Sequence, residues 1–228
     1  TATIANAISQ SSESDLKKYL DEDFIFVPYC RPGFTLTMEI KKLILPSTNI
    51  LILENHGLIV AGDDIEDTYK LLLKIHKKLD LIRNEKLASD YLEEVTNIDG
   101  YNHKNTDKYK LFSTQNEKLF SLFPKSFYPD HVIFLGPGIP TFLEEKEANE
   151  FIQNLKRKNM NLPPYLILKY KGLFENTLAI PAAKEMIDCF LEVLLRIDLS
   201  KSLKFLSSQQ ESELSLIHIS EPTRHRRI

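Results

Sequence analysis

A histidine stands between two apolar runs in Leu53-Glu54-Asn55-His56-Gly57-Leu58-Ile59-Val60, with a glycine directly behind it. Apolar runs of this kind need no histidine in order to pack. Neutral imidazole is a common zinc ligand, and a catalytic zinc takes three protein ligands and keeps one position open. One histidine supplies one ligand. By its own chemistry, then, His56 is either part of a metal centre or a side chain that only hydrogen-bonds a loop. Strand side chains alternate faces, so a histidine closing a strand projects where the layer opens. Gly57 would let the backbone turn there, or let another chain come close.

Other polar residues carry weaker signals. Tyr29 follows a proline in "FVPYCRPGF" and either lines the same site or simply packs in its loop. Arg31, in the same loop, either meets an anionic substrate or is a surface arginine. His131 in "YPDHVIFLG" opens an expected strand beside Asp130, but neighbours on a strand face opposite ways and cannot chelate together. It reads as structural. His76 falls in a long helical pattern and His103 in a polar stretch, both solvated or locally bonded. Cys30 has no histidine near it in sequence to activate a thiol. Cys30 and Cys189 lie too far apart for a disulfide framework or a zinc knuckle, which points to a reducing cytoplasm. The formal charge of −3 over 228 residues argues against nucleic-acid binding, and no apolar run is long enough to span a bilayer.

Alternating elements must position these side chains. Residues 1–20 read as helix, and "DFIFV" is a short strand running into a Pro/Gly-punctuated loop. "TLTMEIKKLIL" suits a helix with Met38, Ile40, Leu43 and Ile44 turned inward. "NILILEN" is a buried strand and "GLIVAG" a second one. Asp63 with Glu66 then offers a capping-box-like start to a long helix carrying Ile65, Tyr69, Leu72, Ile75, Leu79 and Ile82 at helical spacing. This alternation favours an α/β domain over residues 1–88. A polar linker follows at 89–112, and a smaller α/β region at 113–213. There Ser113–Phe123 reads as helix, "HVIFLG" as strand, and Thr141 with Glu144 as the cap of a helix to Leu155. "YLILKY" reads as strand, and a helix opens at Pro181 and runs to Arg196.

"LENHGLIVAGDDIEDTY" resembles the Asn-His-Gly-Leu signature of the class II aldolase/adducin family, and "FVPYCRPGF" resembles the Pro-Tyr…Gly loop that precedes it there. "TATIANAIS" is similar to the helix that follows the family's His-x-His pair. The resemblance covers roughly residues 1–88. It implies a layered α/β/α fold in which His56 is the third ligand of a zinc ion, or of another divalent metal. The other two histidines would lie upstream of Thr1. More loosely, "FYPDHVIFLGPG" resembles the aldolase part of bifunctional rhamnulose-phosphate aldolase/dehydrogenase proteins.

The implied chemistry is retro-aldol cleavage of a ketose 1-phosphate to dihydroxyacetone phosphate and an aldehyde. The metal would stabilise the ene-diolate. The family's general base and phosphate loop match no position here, and Tyr29 does not align with its catalytic tyrosine. Two alternatives share the resemblance: a pentulose-phosphate 4-epimerase of the same fold, and a non-catalytic adducin-like interaction module. Family aldolases are typically tetramers, which implies a homo-oligomeric parent acting on a small sugar phosphate. The start at Thr1, inside an expected helix, suggests an N-terminally truncated and inactive fragment. "LSLIHISEPTR" reads as a translated sequencing adapter, so residues 214–228 are expected to be a non-native tail.

Overall fold

The computed structural model describes residues 7–80 and 97–220, with the side chains of 217–220 left aside. It is a mixed α/β structure, as expected. The described residues divide into two compact units. One gathers residues 7–80, 127–129 and 192–220, and the other 97–126 and 130–191.

The first unit is built on a three-stranded sheet in the order β1-β2-β3, formed by Ile25–Val27, Ile50–Leu53 and Gly57–Val60. β1 runs parallel to β2, and β3 returns antiparallel to it. All four residues of β2 are buried, because helices cover both faces of the sheet. Ile50 and Ile52 pack with Ile8, with Leu16 of α1 (Glu13–Tyr19), and with Ile75 and Leu79 of α3 (Ile65–Leu79). Leu51 and Leu53 join Val27 on the opposite side, against Leu36 and Ile40 of α2 (Phe34–Leu43). The strict period of two in the strand therefore sorts one apolar run into two half-cores. This is the layered arrangement that the alternation of elements suggested.

The second unit holds a four-stranded sheet in the order β4-β7-β6-β5, from Tyr101–His103, Gly172–Asn176, Tyr165–Leu168 and Thr141–Phe142. β5 and β6 are parallel and the other pairs antiparallel. α6 (Glu145–Arg157) lays Ala148 and Ile152 on Leu166, Leu168 and Phe174. Further helices are α4 (Glu117–Phe120), α5 (Pro129–Leu135) and α7 (Pro181–Leu194), with α8 (Ser208–Ser220) at the end of the first unit. Leu214 in α8 is buried.

Several local expectations change. "HVIFL" is helical, not a strand. Pro129 fits a first helical turn, where its missing N–H costs nothing, and Gly136 at φ +93° ends the helix. A short apolar run cannot be assigned by periodicity alone, so these two punctuating residues decide it. No residue of α2 is buried: Met38 is 38% and Leu43 39% exposed, and only Leu36 and Ile40 reach the core. α3 is capped one residue later than expected, by Asp64, whose carboxylate accepts the Asp67 amide at 2.8 Å. Ile65 and Tyr69 lie on its exposed side, and Ile82 falls outside the described residues. Thr141 sits in β5; the capping box of α6 is Glu144 with Glu147. Only residues 117–120 of the helix expected at Ser113–Phe123 are α-helical. The polar stretch expected to be loop contains β4 and a 3-10 helix, Asp107–Ser113. β4 passed as loop because Tyr-Asn-His shows no apolar alternation; it is an edge strand with one buried residue, Tyr101.

Candidate functional site

The Glu54-Asn55-His56 segment is the three-residue turn of a β-hairpin. Leu53 of β2 pairs with Gly57 of β3, and the His56 amide donates to the Leu53 carbonyl at 3.1 Å. Three-residue hairpin loops need one residue in the left-handed region. Asn55 supplies it, at φ +50°. Asparagine tolerates that conformation better than most side chains. Gly57 has an ordinary φ and opens β3, so the conformational role expected of it belongs to Asn55.

Asn55 is also what anchors the turn. Its side chain is buried, and Nδ2 donates to the carbonyls of Phe127 at 3.0 Å and Lys204 at 3.2 Å. Glu54 makes a second set of ties. One carboxylate oxygen accepts the Tyr29 amide at 3.1 Å, and the other accepts the Lys204 ammonium at 2.6 Å. Burial pushes the Glu54 carboxyl up, but the Lys204 and Tyr29 hydrogen bonds outweigh it and hold the group below its usual value. The Lys204 ammonium also lies 5.5 Å from the centre of the Phe26 ring.

The consequence is a fixed turn that presents His56 outward. Its imidazole is exposed at the third turn position, not at the end of a strand. Tyr29 is tied to the same turn through Glu54. Its ring is half-buried and its hydroxyl is buried without a hydrogen-bond partner. Burial, with a smaller contribution from the Glu213 carboxylate, pushes the phenol up to about 12, so it stays protonated as a donor. Cys30 is also pushed up, by burial and by Glu39, which disfavours a thiolate there.

The other histidines lie elsewhere. His103 has Nε2 2.7 Å from the Lys171 carbonyl and stacks on Phe174, with ring centres 4.9 Å apart. His131 is fully buried in α5, edge-on to Phe190 at 4.6 Å, and burial pushes it down to about 3. His76 is half-buried on α3. Among the described residues, no group of three His, Cys, Asp or Glu side chains could hold a metal ion. The described residues therefore offer His56 as one donor and do not by themselves form a metal centre. The sequence singles out His56 and Tyr29 by their motifs and gives no sign of the Glu54–Lys204 contact that the turn makes. A pair 150 residues apart leaves no local signal.

No helix among the described residues is long and apolar enough to cross a membrane. Residues 1–81 match the family model of the class II aldolase and adducin N-terminal domain. The protein of Bacillus subtilis (strain 168) named "Uncharacterized oxidoreductase YuxG" is 30% identical over 92 residues, covering 37% of this chain. The chain spans 13% of that protein's length over the match. No solved structure matches significantly. The matched segment, residues 1–81, is the one that carries His56 on its fixed hairpin turn.

Proposed function

We propose that this chain carries part of the active site of a metal-dependent class II aldolase that cleaves a ketose 1-phosphate of the rhamnulose-1-phosphate type. The observation that carries the reading is the outward imidazole of His56, on a turn fixed by Asn55 and Glu54 inside the family-matched segment. His56 is one metal ligand, zinc being the metal that the family implies, and the remaining ligands lie outside the described residues. Glu54 serves as an anchor for the turn, since its carboxylate is already engaged by Lys204 and the Tyr29 amide. Tyr29, whose protonated hydroxyl is buried without a hydrogen-bond partner among the described residues, is the proposed donor to a substrate oxygen. The oxidoreductase name of the Bacillus relative fits a parent in which such a segment adjoins a dehydrogenase. A cytoplasmic homo-oligomer is the form proposed for that parent.

Zinc content and cleavage assays of the full-length parent and its His56→Ala variant test the reading. The variant should lose stoichiometric zinc and at least about a hundredfold in cleavage rate. The 228-residue chain alone should bind zinc weakly and cleave nothing. Tight stoichiometric zinc in the short chain, or full activity in the variant, would overturn the assignment of His56. Epimerised pentulose phosphate without aldehyde release would select the epimerase. A parent without zinc or turnover would be an adducin-like interaction module.

A further inference from the structure

A cleft of about 510 Å³ opens in the first unit, and His56 is not among its lining residues. Its walls include three ammonium groups, Lys18, Lys201 and Lys204, and one carboxylate, Asp15. That carboxylate is already satisfied. Lys18 donates to it at 2.8 Å and the Ser12 hydroxyl at 2.6 Å, and these bonds hold it far below the usual range. Lys18 and Lys204 each spend one of three N–H donors on a carboxylate, Lys204 on Glu54 at 2.6 Å. Lys201 makes no ion pair among the described residues.

Ser11 supplies an independent observation. It lines the cleft at 2% exposure, and its Oγ is buried with no hydrogen-bond partner. A buried hydroxyl normally finds an acceptor. The walls are also held in place. The Lys204 amide donates to the Ser9 carbonyl at 2.7 Å, and the Gln10 side chain bridges the Arg196 carbonyl at 3.2 Å and the Asp198 amide at 2.9 Å. Unspent ammonium donors, a hydroxyl in need of an acceptor and room for a small ligand define one chemistry: a compact, acceptor-rich anion.

We propose that this cleft binds a phosphate-class dianion, either free phosphate or the phosphoryl group of a phosphomonoester. The site goes beyond the aldolase reading and does not rest on it, because it uses no metal and none of the His56 imidazole.

Calorimetric titration of the 228-residue chain with sodium phosphate, and separately with fructose 1-phosphate, tests it at pH 8 in EDTA and constant ionic strength. Saturable one-to-one binding is expected. Lys201→Gln should weaken it about tenfold and Ser11→Ala several-fold. Lys158→Gln in the other unit should leave it unchanged, with circular dichroism verifying that each variant is folded. Tighter binding of the sugar phosphate would identify a phosphomonoester site, and equal binding a phosphate site. No saturable binding of either probe, indifference to Lys201→Gln, or equal binding of fructose itself would overturn the proposal. Failure of the aldolase reading shows in zinc content and turnover, which this titration in EDTA does not touch.

Discussion

The hairpin turn of the first unit and helix α5 of the second each present a histidine beside an acidic or amide neighbour, yet their environments are opposite. His56 follows a left-handed Asn55 whose buried side chain fixes the turn, and its own imidazole stays exposed. His131 lies one turn into a helix with an apolar face, fully buried against Phe190. The comparison shows that the histidine itself does not decide between ligand and core. The neighbour does. At the turn, Asn55 takes the buried position and leaves the imidazole outside. In α5 no such neighbour exists, and burial keeps the imidazole neutral.

Breaking the anchor should have the largest effect. Asn55→Ala removes two hydrogen bonds to carbonyls and puts a Cβ-bearing residue without local compensation at φ +50°. A loss of about 3 kcal/mol is expected, from the unsatisfied buried carbonyls and the left-handed backbone together. Asn55→Gly should recover about 1 kcal/mol of it by relieving the backbone alone. Urea unfolding of both variants measures the split; equal losses would show that the backbone contributes nothing.

The buried histidine makes the next largest effect, and it depends on pH. His131 has a folded-state value near 3 against 6.5 in the unfolded chain. Between those values the unfolded state binds more protons, so stability rises with pH. The contribution is complete above pH 6.5 and is lost progressively as pH falls towards 3, by about 1.4 kcal/mol per unit. Unfolding of the second unit at pH 7 and pH 5 should therefore differ by about 2 kcal/mol from this group. His131→Phe should flatten that slope; an unchanged slope would assign the acid sensitivity to other groups.

The sequence carried the first of these regions better than the second, for physical reasons. β2 reads as a strand because its four consecutive apolar residues suit burial between two helical layers, whereas the turn reads as the end of that strand, because Asn55 and not Gly57 supplies the left-handed residue. In α5 the same kind of apolar run was ambiguous, and Pro129 and Gly136 settle what Val132, Ile133 and Phe134 could not. The site was legible to the extent that it is local. His56 and Tyr29 stand within short motifs, whereas the Lys204 contacts to Glu54 and Asn55 join the chain across about 150 positions. The exposed side of α2 was misread because helical spacing tells which residues share a face, not whether that face is covered.

The Glu54–Lys204 pair should contribute less than either anchor. Its partners are only partly buried, at 23% and 38% side-chain exposure, so solvent screening limits the gain. Glu54→Gln should cost about 1 kcal/mol at pH 7 and low salt, and less in 0.5 M salt. The Glu54 carboxyl is held below its usual value, so the stabilisation is present above pH 4.5 and fades as pH falls further. A double-mutant cycle with Lys204→Met isolates the pair. Coupling indistinguishable from zero would mean that Glu54 holds the turn through the Tyr29 amide alone.

His56→Ala should change stability least, by under about 0.5 kcal/mol, because an exposed turn position with its φ constraint one residue away has little packing to lose. This small number is the sharpest form of the comparison. Adjacent residues, Asn55 and His56, should differ by about 2 kcal/mol or more in the cost of truncation, with the order reversed for metal binding in the parent protein. A residue kept for folding shows its cost in unfolding experiments, and a residue kept for chemistry does not. If His56→Ala proved as destabilising as Asn55→Ala, the histidine would be a structural part of the turn, and the reading of the hairpin as a presented metal ligand would fail.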